Sequence, residues 1–166
     1  LGTNDYLLLN STAAKATSSN LFNGVSNSTF TVGSGFASST PDFICYAFAP
    51  VANYSHMGSF LGNANSDGPF VALSFRPAFI LIKNASLAGS NWIIIDTSRD
   101  TYNESDHLLK PNKADAEQVT TANEVDILSN GFKLRGTDGD TNGSGNTMIY
   151  YAVAENPFQA NGGLAR

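Results

Sequence analysis

The sequence predicts an all-β fold, an antiparallel β-sandwich of the jelly-roll kind. Three observations point there. Short apolar runs rich in β-branched and aromatic residues recur along the chain, each bounded by Gly, Asn, Asp, Ser or Pro. No stretch sustains a helical apolar period. Of 166 residues, 42% are apolar but only 14% charged, against ~25% in an average soluble domain. The surface is therefore polar through Ser, Thr, Asn and Gly, a composition typical of secreted, virion or cell-surface β proteins.

The expected strands begin with "DYLLLN" (5–10), "STFTV" (28–32) and "DFICYAFA" (42–49). "GSFLG" (58–62), "FVALSF" (70–75), "AFILIKN" (78–84) and "WIIID" (92–96) follow. "HLLK" (107–110), "VDIL" (125–128), "GFKL" (131–134) and "TMIYYAVA" (147–154) complete the set. In the last, Met148, Tyr150, Ala152 and Ala154 share one face, and Ile149, Tyr151 and Val153 the other. Both faces are apolar, so this strand is expected to be central and covered on both sides. "STAAKATSSN" (11–20) and "KADAEQVTTANEV" (113–125) hold helix formers with little periodicity and read as loops with a helical turn or two. Cys45, the single cysteine, sits inside "FICYAF" and reads as a buried, inert thiol.

An internal repeat organises the chain. "SNSTFTV" (26–32) matches "LSNGFKL" (128–134) at an offset of 102, placing Phe30 on Phe132 and Val32 on Leu134. "ICYAFA" (44–49) matches "IYYAVA" (149–154) at 105, placing Ile44, Tyr46, Ala47 and Ala49 on Ile149, Tyr151, Ala152 and Ala154. Residues 1–50 thus read as the C-terminal half of a first unit, and 51–166 as a complete second unit with a tail. The remainder of the first unit is expected upstream or from another chain.

Composition and motifs narrow the function. A net charge of −5 without a Lys/Arg cluster argues against a nucleic-acid or anionic-membrane partner. The longest apolar runs fall far short of the ~20 residues that span a bilayer. "TDGDTNGSGN" (137–146) opens like a calcium loop, with Asp138, Asp140 and Asn142 at alternate positions before Gly143. The acid such a loop needs at its end is replaced by Ile149. A structural turn is the stronger reading, with those three residues kept as calcium candidates. His56, His107 and Cys45 cannot build a four-ligand zinc site without carboxylates, and both histidines read as surface residues. There is no G-x-S-x-G elbow and no P-loop. Asp96, Asp100, Glu104, Asp115 and Glu117 could pair as carboxylates, but a structural pair with Arg99 explains Asp96 as well. Loop Tyr, Asn and Asp residues are the usual tools for sugar recognition. Tyr54, Asn63, Asn65, Asp67 and Tyr102 are the receptor or glycan candidates, whereas Trp92 reads as core.

The stretch "YSHMGSFLGNANSDGPFVALSFRPAFILIKNASLAGSNWIIIDTSRDTYN" (54–103), with "LSNGFKL", "MIYYAVAENPF" (148–158) and the terminal "GGLAR" (162–166), resembles a repeat domain of tail-fibre and virion-surface proteins of marine bacteriophages. The shared pattern falls on Tyr54, Gly58, Gly62 with Asn63, Asp67 to Phe70, Phe75 to Phe79, Ile82 with Lys83, Trp92, Asp96 and Arg99. The resemblance implies a non-enzymatic, extracellular virion component without cofactor. It would form a homo-oligomer, a trimer by fibre precedent, joined to other virion proteins and attached to a host-surface glycan. It supplies no ligand residues. Gly58, Gly62 and Gly68 read as turn or bulge positions, and Pro69 and Pro77 as strand starts. Two other readings stand beside it. One is a capsid decoration or filament subunit that completes its sandwich with a neighbouring chain. The other is a carbohydrate-binding module or depolymerase.

Overall fold

The computed structural model describes residues 2–36 and 42–157; the terminal "GGLAR" lies outside them. The core is a two-layer antiparallel sandwich built from residues 55–154. One layer holds β5 (Ser55–Leu61), β7 (Pro77–Asn84), β8 (Trp92–Asp96) and β13 (Thr147–Ala154), in the order β5-β13-β7-β8. The other holds β6 (Phe70–Ala72), β11 (Val125–Leu128) and β12 (Gly131–Leu134), in the order β11-β12-β6.

Strand alternation sets the core. Along β13, Met148, Tyr150, Ala152 and Ala154 are buried, while Ile149, Tyr151 and Val153 are half-buried. They meet Ile80, Ile82, Ile93 and Ile95 from the same layer, and Val71, Ile127, Phe132 and Leu134 from the facing one. Phe132 sits at the centre, edge-on to Tyr150 at 5.4 Å and to Phe60 at 6.1 Å between ring centroids. The expected centrality of β13 holds, but its outer face is only partly covered. Pro69 precedes β6 and Pro77 opens β7, where a missing N–H leaves no ladder bond unmade.

Three small ladders complete the chain. They are β1 (Asp5–Tyr6) with β2 (Ala16–Thr17), β3 (Phe22–Val25) with β4 (Phe30–Val32), and β9 (His107–Leu108) with β10 (Gln118–Val119). Residues 11–20 are thus extended and contribute β2, not helical turns; Lys15 and Thr17 bond the Asp5 carboxylate at 2.8 and 2.6 Å and hold the ladder shut. Residues 113–125 yield one 3-10 turn, Thr121–Asn123, after the unanticipated strand β10. The N-terminal segment lies against the β7–β8 end of the sandwich. Leu8 O accepts from Trp92 Nε1, Thr12 O from Gly89 N, and Lys15 N donates to Ala85 O, each at 2.9 Å.

Residues 42–49 depart from expectation. They form no strand, and Phe43, Ile44, Tyr46 and Phe48 are exposed. Their counterpart β13 is a strand because β5 and β7 flank it; among the described residues 42–49 has no such neighbours, and a strand is defined by the partner that takes its N–H and C=O groups. Cys45 is accordingly exposed, not buried.

The glycines of the shared pattern also work differently from the turn reading. Gly58 lies inside β5 under the Tyr150 ring, and a Cβ there would stand 2.8 Å from the hydroxyl oxygen. A Cβ on Gly62 would collide with the backbone of Asn142 and Gly143. Close approach, rather than a turn, requires glycine at both.

Candidate functional site

At one end of the sandwich three connections meet: 62–69 after β5, 85–91 after β7, and 135–146 before β13. Buried asparagines lock them together. Asn142 is fully buried, and every hydrogen-bonding group of its amide is used. Oδ1 accepts from Asn63 N at 2.9 Å, and Nδ2 donates to Asn65 O at 3.0 Å and Gly136 O at 2.9 Å. Asn84, equally buried, donates to Gly139 O at 2.7 Å and accepts from the backbone of Ser86 and Leu87. Asn91 donates its backbone N and its Nδ2 to the two oxygens of Asp140, at 2.7 and 2.9 Å. Asn112 joins by donating to Asn91 Oδ1 and accepting from Trp92 N.

The calcium candidates belong to this lock. Asp138 N-caps a four-residue helix, α1 (Gly139–Asn142), by accepting from Asp140 N at 2.7 Å. Asp140 holds Asn91, and Asn142 clamps the 62–69 loop. Their oxygens are engaged with protein donors, as the turn reading expects. Among the described residues, no three or more His, Cys, Asp or Glu side chains gather as metal ligands.

Lys83 lies beside the same end. It is fully buried, and its ammonium donates to Ser90 O at 2.8 Å. Burial lowers its pKa from the ordinary lysine range, against the opposing pull of the Asp140 carboxylate.

Over this clamp the 62–69 loop faces solvent. Asn63, Asn65 and Asp67 form an Asx ladder: Asn63 Oδ1 accepts from Asn65 N at 3.0 Å, and Asn65 Oδ1 from Asp67 N at 2.8 Å. Asp67 also pairs with Lys133 Nζ at 2.6 Å, and that hydrogen bond and charge hold its carboxyl below the usual range. Tyr54 is not brought to this loop. It is half-buried at the opposite end of β5, where its carbonyl accepts from Ala154 N. Tyr102, 83% exposed, projects from the β8–β9 connection. Asn103 beside it anchors that connection to the outer edge of β11 through two bonds to the Ile127 backbone.

The remaining carboxylates serve the scaffold. Asp96 accepts from Arg99 Nε at 2.6 Å, and Arg99 also reaches Glu117 at 2.9 Å. Burial works to raise the Asp96 carboxyl, but the bonds and charge of Arg99 outweigh it and lower it overall. Asp100 Oδ2 accepts from the backbone of Asp106 and His107. His56 is exposed at the core rim and bonds the Tyr150 hydroxyl at 2.8 Å, and His107 is half-exposed. Trp92 is buried, as its position in an apolar strand indicated. It lines one side of an open apolar groove of about 470 Å³ on the outer face of the four-stranded sheet, with Leu81, Met57, Ile149 and Tyr151.

Sequence reasoning missed Asn84, Asn91 and Asn112. Asn84 ends β7, Asn91 precedes β8 and Asn112 lies in the β9–β10 connection, but the residues that these asparagines and Asn142 clamp across the loops lie up to 79 positions away, so no local spacing marks them. No curated protein and no solved structure matches the chain. A family model does, over residues 1–157, and its description is a domain of unknown function. The chain belongs to that family, DUF7483.

Proposed function

We propose that this domain is a structural component of a virion surface, a tail-fibre β domain that assembles with copies of itself and other virion proteins and presents loops to a host-surface glycan. One observation carries the reading. The small ladders before and after the centre of the chain repeat one arrangement: Asp5 pairs with Thr17 and Tyr6 with Ala16, as His107 pairs with Val119 and Leu108 with Gln118, each residue shifted by 102. Tandem β units of low charge, with their polar residues committed to holding loops, suit an extended structural protein better than an enzyme. The resemblance of residues 54–103 to phage fibre repeats supplies the biological setting. Asn63, Asn65, Asp67 and Tyr102 are the solvent-facing residues available to a glycan.

The test is association with particles. An antibody against the domain is expected to label intact virions, and native mass analysis is expected to show an oligomer. A stable monomer that never co-purifies with particles would defeat the reading. A glycan array would then separate attachment from a purely architectural role.

A further inference from the structure

Residues 1–50 carry a counterpart of β9–β13 and none of β5–β8. The β1–β2 and β9–β10 ladders have the same register 102 residues apart. The β3–β4 and β11–β12 hairpins match likewise: Val25 pairs with Phe30 and Gly24 with Thr31, as Ile127 pairs with Phe132 and Asp126 with Lys133. Residues 44–49 then stand for 149–154 of β13.

The two copies differ in what covers them. Phe132 is fully buried, with β6 alongside and Phe60 of β5 against it, whereas Phe30 is 40% exposed. Ile127 is 4% exposed and its counterpart Val25 56%. Ala152 and Ala154 are buried, while Ala47 and Ala49 are open to solvent. Between Phe22 and Phe30 on one side and Cys45 to Phe48 on the other lies an open cavity of about 500 Å³. The counterparts of Phe30, Cys45 and Ala47 in the C-terminal copy, Phe132, Tyr150 and Ala152, share one core with the isoleucines of β7 and β8. From Ala16 to Ser55 the only acidic or basic residue is Asp42, so the uncovered face has almost no charge to keep it in water. An apolar surface of this extent marks an interface.

We propose that residues 1–50 are a docking half whose occupant is a β5–β8 half, a segment of the sequence type of residues 55–96 supplied by another unit of this family. Residues 42–49 enter between its β5-like and β7-like strands as β13 does between β5 and β7, by strand addition. The occupant follows from what covers the same residues in the C-terminal copy, and the flanking strands complete the ladder that 42–49 lacks. The inference rests on the tandem arrangement and stands whether or not the domain belongs to a virion.

Cys45 reports the event, because it is the sole thiol and lies in the inserted strand; its counterpart Tyr150 is buried. A chain with a second copy of residues 51–102 joined ahead of Leu1 reproduces the junction that the 102-residue shift dictates. In the original chain Cys45, which is exposed, is expected to react readily with an aromatic disulfide reagent. In the extended chain the rate is expected to fall by on the order of 100-fold or more, limited by local opening, with a matching loss of hydrophobic-dye binding. The separate peptide 51–102, added in excess to the original chain, is expected to protect Cys45 in the same direction, which covers a failure of the extended chain to fold. Full reactivity in both experiments overturns the proposal. So does protection that grows with the concentration of the original chain alone, because the occupant is then the same face of a second copy. Neither readout involves particles, so either result leaves the virion reading to its own test.

Discussion

Asn142→Ala removes three hydrogen bonds at once while leaving the α1 backbone free to form. The Gly136 carbonyl is buried and loses its Asn142 donor, at about 1–3 kcal/mol for an unsatisfied group. Asn63 N and Asn65 O belong to solvent-facing residues and can turn to water, so each loses only the net value of a hydrogen bond, about 0.5–1.5 kcal/mol. The sum is about 2 to 6 kcal/mol, a large part of the ~5–15 kcal/mol of a typical domain. Urea unfolding followed by tryptophan fluorescence measures it through Trp92, the only tryptophan. With a slope of about 2 kcal/mol per molar, the midpoint falls by about 1 to 3 M. Asn142→Asp separates this clamp from an ion site. A carboxylate there would face the Asn65 and Gly136 carbonyls, so burial and repulsion raise its pKa above the ordinary ~3.9. The folded state then binds the proton more tightly than the unfolded one, and this variant loses stability as pH rises through the folded pKa. Millimolar calcium is expected to leave the wild-type midpoint unchanged and to rescue neither variant. A midpoint drop below about 0.3 M for Asn142→Ala, or a calcium-dependent rise in the wild type, refutes the clamp.

Other perturbations read other parts of the molecule. Gly62→Ala places a methyl group against the Asn142 and Gly143 backbone, where no flexible side-chain end can yield, and should destabilise by at least about 1–3 kcal/mol in the same unfolding assay. Lys83→Met tests the buried ammonium: below the folded pKa of Lys83 the wild type carries the full burial penalty. Between that value and the unfolded ~10.4 the unfolded chain binds more protons, so wild-type stability rises with pH relative to the variant, and midpoints compared from pH 7 to 10.5 should show that slope. Tyr102→Ala should change stability by less than about 0.5 kcal/mol, yet weaken attachment to host cells if its exposed ring meets a receptor glycan.

Strand content was legible where period and neighbours agreed. The alternation of Met148, Tyr150, Ala152 and Ala154 could be read directly because β13 has a buried face and two flanking strands. Ile44, Tyr46, Ala47 and Ala49 carry much the same pattern, yet form no strand in the chain alone. Pattern specifies which face a strand would bury; only a partner makes it a strand. The opposite failure occurs at β2 and β10. Ala-Thr and Gln-Val have no strand signature, and their two-residue ladders exist because β1 and β9 lie beside them. The candidate site was legible in residue type and opaque in role. Asp138, Asp140 and Asn142 suggested oxygen ligands, and the oxygens are indeed engaged, but by N–H groups, one of them 79 residues distant.

The low charge of the chain and its asparagine-held end have a common physical basis. A loop clamp must meet both N–H and C=O groups of the backbone it holds. A carboxylate only accepts and an ammonium only donates, and either pays heavily for leaving water. A primary amide does both without charge. Asn142 exploits this fully, accepting from Asn63 and donating to Asn65 and Gly136, and Asn84 repeats the scheme around Gly139. Charge persists where it remains close to water, as at Asp67 with Lys133 and Arg135 with Asp126. Lys83 is the exception, a buried ammonium with a carbonyl partner, and burial opposes its ionisation. The Asn142 and Asn84 bonds made this way do not loosen when salt or pH changes, because neither amide titrates and Debye screening acts only on charges; the Asp138 and Asp140 carboxylates are the parts of the lock that acid can reach. The asparagine end should therefore keep the 62–69 loop in one shape across ionic strengths that would dissolve an exposed salt-bridge network.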